Sequence, residues 1–136
     1  GPQYLMSEFR KIHQFNVFSV NTPIQYALAT FLETPQEYLS LNTFYQQKRD
    51  YFLSLTKNSR LEPIDCEGTY FQLFRYDAVS SLPDLEFAKY LTTEKGVAGI
   101  PVSAFFSSRK DEKVLRFCFA KTDETLEKAG VLISKL

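Results

Sequence analysis

The spacing of apolar residues is helical as far as Leu61 and mixes strand with helix periods after it, which limits the chain to a fold in which helices pack on a small sheet. In the helical part, Leu5, Phe9 and Ile12 predict a helix over about residues 3–14, with Pro2 suited to its first turn. Residues 16–21 break the helical period and read as an extended, apolar connector. Thr22-Pro23-Ile24-Gln25 then places a capping Thr before Pro, with Gln three residues on, and Ile24, Leu28 and Phe31 line one face of a helix ending near Leu32. The same device at Thr34-Pro35-Gln36-Glu37 predicts a longer helix of about six turns, carrying Tyr38, Leu41, Tyr45, Phe52 and Leu55 and stopping near Asn58.

After Leu61, Thr69-Tyr70-Phe71-Gln72-Leu73-Phe74 is a β-branched and aromatic run of strand length, punctuated by Gly68. Ser81 is a candidate cap for a helix carrying Leu85, Ala88 and Leu91, which Gly96 ends. A short strand is predicted over residues 97–102, stopped by Pro101, and a polar turn over residues 107–113 leads into a strand over residues 114–120. Thr122 caps a last helix with Asp123 and Glu124 in its first turn and Leu126, Ala129, Ile133 and Leu136 on its core stripe. The expected fold class is α+β: a small, mainly antiparallel sheet with helices on one face, preceded by helices. The other sheet face needs a cover, and an internal boundary is expected near Thr34.

Composition narrows the function classes. Sixteen basic residues balance sixteen acidic ones, so the net charge is zero and no basic run tracks a phosphate backbone; nucleic acid is not an expected partner. Apolar runs stop after a few residues, far short of the roughly 20 that span a bilayer, and no signal-peptide pattern opens the chain, so no membrane is expected and the location reads as cytoplasmic. Thirteen Phe and eight Tyr are a heavy aromatic load for 136 residues, and part of that surface is expected to face something outside the chain. Two cysteines, Cys66 and Cys118, read as buried reduced thiols, and with one histidine, His13, they leave no set of ligands for a metal. His13 reads as a surface or capping residue. The five glycines are too dispersed for a nucleotide-binding loop, and Asp111-Glu112 and Asp123-Glu124 read as a turn and a helix start.

Arg116 is the residue with chemistry to explain. In the strand over residues 114–120 the two-residue period sets Leu115, Phe117 and Phe119 on one face and Val114, Arg116, Cys118 and Ala120 on the other. A guanidinium on an apolar strand calls for a carboxylate or phosphate. Periodicity alone leaves an internal salt bridge and an anion-binding site equally open.

Four motifs together, residues 13–23, Glu67-Gly68-Thr69-Tyr70-Phe71, residues 96–103 and residues 115–121, resemble in order and in register the C-terminal portion of class I/II pyridoxal-phosphate aminotransferases, nearest the methionine and kynurenine aminotransferase-like branch. The resemblance implies that residues 1–33 end the large, cofactor-binding domain and that residues 34–136 form the small C-terminal domain. It implies that Arg116 grips the substrate α-carboxylate and that Phe105 lines the substrate pocket, ordinary core being the alternative for Phe105. Phe18 and Ser19 match a loop that reaches into the neighbouring subunit's site in a homodimer; a packed connector is the alternative. The implied reaction transfers an amino group between a methionine-like, aromatic or kynurenine-like amino acid and a 2-oxo acid, with pyridoxal phosphate as cofactor. The family's Schiff-base lysine and the side chains that hold the pyridine ring match positions upstream of Gly1. No catalytic residue is therefore assigned in this chain, which is expected to be inactive alone and to hold no cofactor. A cysteine-conjugate β-lyase on the same fold, and a non-catalytic interaction module, remain as alternatives.

Overall fold

A computed structural model describes residues 1–136, which gather into two compact units, Gly1–Ser40 and Leu41–Leu136. The first is helical: α1 (Gln3–Asn16), α2 (Thr22–Leu32) and the single turn α3 (Gln36–Leu39). Its entry points follow local chemistry. Asn21, not Thr22, caps α2, its side-chain oxygen accepting the Ile24 backbone N–H at 3.2 Å, so that Thr22 and Pro23 fall in the first turn. Thr34 does not repeat the device. Its hydroxyl donates back to the Phe31 carbonyl at 2.8 Å, which leaves α3 with no side-chain cap, and the predicted six-turn helix is instead divided at Ser40 from α4 (Leu41–Thr56). No residue of α1, α2 or α3 is buried; Phe15, near the end of α1, is 85% exposed and Phe18, in the connector after it, 95%. The expected uncovered aromatic surface is here.

The second unit holds a four-stranded antiparallel sheet in the spatial order β1-β2-β4-β3, from β1 (Glu62–Pro63), β2 (Phe71–Arg75), β3 (Ile100–Pro101) and β4 (Val114–Cys118). Its helices are α4, α5 (Asp84–Glu94) and α6 (Asp123–Ile133). Two-residue β1 has no periodic signature and was not expected; with Pro63 it sits at the sheet edge, where a missing N–H is tolerated. β3 is shorter than the predicted strand because the chain turns at Val102 into a 3-10 turn, Val102–Phe105. α5 begins after Pro83, while Ser81, its predicted cap, makes no capping bond; Gly96, at φ +72°, ends the segment as expected. Thr122 caps α6 as expected, accepting the Thr125 N–H.

β4 pairs with β2 and β3 so that Leu73, Arg116 and Ile100 lie abreast. The opposite face carries Leu115, Phe117 and, just past the strand, Phe119, all buried in one core with Phe52 of α4, Phe87 and Leu91 of α5, and Leu126 and Ile133 of α6. Much of the aromatic load is spent here: Phe74 meets Phe52 and Phe117 edge-on at 5.9 and 5.8 Å, and Tyr76 stacks on Phe87 at 4.4 Å. Both cysteines are free as expected, but half-buried rather than fully so, because Cys118 shares the open face with Arg116 and the Cys66 thiol lies in a loop, donating to the Gly68 carbonyl at 3.0 Å. No helix is long and apolar enough to cross a membrane.

α4 and α6 approach so closely at Gly130 that an added Cβ would stand 2.7 Å from the Leu55 Cβ. Gly130→Ala should therefore destabilise the protein by about 1–3 kcal/mol, although alanine is intrinsically the better helix former. Urea denaturation measures this, and an unchanged or raised midpoint would show that the helices separate freely.

Candidate functional site: a guanidinium between two aromatic rings

The open sheet face places Arg116 between two rings. Its Cζ lies 4.0 Å from the centroid of Phe71, on β2, and 4.7 Å from that of Phe105, at the end of the 3-10 turn. Arg116 forms no ion pair, and its Nε is buried with no hydrogen-bond partner. The internal salt bridge left open by periodicity is absent. Aromatic faces favour a cation through their quadrupoles without neutralising it. The guanidinium thus packs against both rings, and its charge has no acidic partner within the chain.

Phe105, expected from the resemblance to line a pocket, stands beside Arg116 and is 59% exposed. Phe71 completes the clamp and was not singled out from sequence. The signal was there: Phe71 and Leu73 share a face by the strand period, and Leu73 pairs with Arg116, so Phe71 is its diagonal neighbour. Phe18 and Ser19 belong to the other compact unit, in the connector between α1 and α2. Phe18 adopts φ +41°, a left-handed conformation that costs a bulky residue about 1–3 kcal/mol, and nothing buries its ring. His13 is exposed and stacks on Phe9.

The 3-10 turn is fastened to the start of α5. Asp84, 3% exposed, accepts the Ser103 backbone N–H at 2.9 Å and the Ser103 hydroxyl at 2.8 Å. The Asp84 N–H in turn donates to Asp111, whose carboxylate also takes the Lys113 N–H at 2.8 Å and lies 3.3 Å from its ammonium. Lys113 reaches on to the carbonyls of Ser81 and Leu82. Desolvation pushes the Asp111 carboxyl up, but the hydrogen bonds from Lys113 and Asp84, with the Lys113 charge, outweigh it and hold the pKa below the usual carboxylate value.

A cofactor of the pyridoxal-phosphate kind does not fit the residues of this chain by themselves. No lysine is buried, so none is set aside as a carbonyl-reactive amine, and the glycines form no phosphate cradle. What the chain offers is a guanidinium with no acidic partner of its own. No group of three or more His, Cys, Asp or Glu side chains converges to hold a metal.

Comparison with known proteins places this geometry. The family model described as aminotransferase class I and II matches residues 1–131, and the chain belongs to that family. It is 48% identical over its whole length to a methionine aminotransferase of Escherichia coli, covering 36% of that protein, and 36% identical to a kynurenine–oxoglutarate transaminase of Dictyostelium discoideum, again covering 36%. An Escherichia coli crystal structure identified as having a methionine aminotransferase function superposes with a TM-score of 0.90 at 48% identity, over 100% of this chain and 36% of that one. An N-succinyldiaminopimelate aminotransferase from Mycobacterium tuberculosis follows at 0.84 and 29%, over 99% of this chain and 36% of that one. The chain therefore spans about a third of the length of the relatives it matches. The α+β fold expected from sequence is the fold of their C-terminal region.

Because the folded-state pKa of Asp111 is depressed, its stabilisation is present above the unfolded value near 4 and is lost as pH falls through the lower folded value. Asp111→Asn should lower the urea midpoint at pH 7, and the gap from wild type should narrow as pH falls below about 4. A gap independent of pH would remove the carboxylate's charge from the account.

Proposed function

We propose that the chain is the C-terminal portion of a pyridoxal-phosphate enzyme that moves an amino group between an amino acid of methionine, aromatic or kynurenine type and a 2-oxo acid. Residues 1–33 then close its large domain and residues 34–136 form its small one. The observation that carries this reading is the unpaired Arg116 fork between Phe71 and Phe105. Its task is to bind the substrate α-carboxylate through two parallel N–H donors, which fixes both the position and the plane of the amino acid. The half-exposed ring of Phe105 serves as a wall for an apolar substrate side chain. Substrate type rests on the relatives' names, methionine aminotransferase and kynurenine–oxoglutarate transaminase.

The cofactor, when bound to the complete enzyme, supplies the electron sink for the carbanion chemistry; this chain's part is to hold and orient the substrate. This chain is then inactive by itself and holds no cofactor. The exposed, strained Phe18 and its neighbour Ser19 suit a loop that inserts beside a second subunit's site in a homodimer, and a cytoplasmic location completes the proposal.

Arg116→Ala in the complete enzyme removes charge-assisted hydrogen bonds worth about 1.5–3 kcal/mol each, so kcat/KM for an amino acid should fall by about a hundredfold or more. Arg116→Lys should recover only part, since a point charge lacks the two-pronged geometry. The comparison that decides is with the matching amine, which has no α-carboxylate. If Arg116→Ala slows amine and amino acid equally, the assignment is wrong.

A further inference from the structure

Asp84 is the one buried carboxylate of the chain, and no cation pairs with it. Burying a charge without a counter-charge is costly unless hydrogen bonds and dipoles replace water. Its place in the first turn of α5 supplies the favourable end of a helix dipole. Its hydrogen bonds, however, both go to one residue outside the helix, Ser103, held at once by its backbone N–H and its hydroxyl. These are the only side-chain hydrogen bonds that join the 3-10 turn to another helix or strand.

Ser103 is also the residue on which the turn closes, its carbonyl accepting the Phe106 N–H at 3.1 Å. Donors and acceptor of Ser103 are thus all engaged, and Phe105 lies between the two residues so joined. Within this chain burial does little to set the position of a ring that is 59% exposed, and the fastening of the turn that bears it supplies the constraint. Phe71, by contrast, is fixed by the β2–β4 ladder. Of the two walls around Arg116, one is built into the sheet and the other hangs from Asp84.

We propose that Asp84 is a positioning residue for carboxylate recognition: through Ser103 it holds Phe105 against Arg116 and so sets the plane in which the guanidinium fork meets the substrate carboxylate. This rests on the reading of Arg116 given above. A structural staple would affect all substrates alike, whereas a device that orients the fork matters only to substrates bearing an α-carboxylate.

The test uses the complete enzyme and four variants, Asp84→Asn, Ser103→Ala, Ser103→Thr and Arg116→Ala, with single-turnover kinetics for an amino acid and for the matching amine. Asp84→Asn and Ser103→Ala should each lower kcat/KM for the amino acid about tenfold, mainly through a higher KM, because a small misplacement of the fork weakens both of its bonds. The amine should change by less than about twofold, and Ser103→Thr, which keeps the hydroxyl, should restore discrimination. If Asp84→Asn fails to fold, the Ser103 pair decides. Equal losses on both substrates, or no loss on either, overturn the proposal while leaving Arg116 in place, provided that Arg116→Ala itself discriminates. If Arg116→Ala does not discriminate, the carboxylate reading falls and the positioning role falls with it.

Discussion

Everything in the C-terminal unit depends on the register of β4. Its odd-numbered side chains, Leu115 and Phe117, are continued by Phe119 into the core formed with α4, α5 and α6, and its even-numbered Arg116 and Cys118 face away. A slip of one residue would exchange those faces, putting a guanidinium among Phe52, Phe87 and Leu126 and two aromatic rings on the open side. Both costs run the same way. The apolar core therefore holds the register, and the register in turn holds Arg116 on the sheet face away from that core.

The aromatic clamp completes that arrangement. A carboxylate of the chain beside Arg116 would satisfy it and remove it from use; two rings constrain it and leave its charge unspent. The nearby acidic groups are engaged elsewhere: Asp84 with Ser103, and Asp111 with Lys113 and the Asp84 backbone. Both carboxylates thus have partners of their own, and neither pairs with Arg116.

What could be read from the sequence was what short-range physics decides alone. The alternation along β4 gave the faces of Arg116 and the core rows, and the caps at Thr122 and Gly96 marked helix ends as local geometry requires. What escaped depends on tertiary choice. Thr34 had two uses for its hydroxyl and took the Phe31 carbonyl, which no pattern reveals. The strand predicted over residues 97–102 ends at Pro101, where the chain enters the turn Val102–Phe105, whose Ser103 donates to Asp84 nineteen residues earlier. Phe71 could have been placed beside Arg116 only once β2 was known to pair with β4 in this register. The family came from motif resemblance and from the relatives, and the clamp geometry is what the role proposed for Arg116 rests on.

The claim on which the account rests is that the Arg116 fork is reserved for a ligand carboxylate while two rings hold its plane. A crystal structure of the complete enzyme with an unreactive amino-acid analogue tests it directly. The account predicts both carboxylate oxygens within about 3 Å of the guanidinium nitrogens, with Phe71 and Phe105 still on its two faces. An analogue carboxylate bound elsewhere, with Arg116 turned to an acidic side chain of the protein itself, would contradict it.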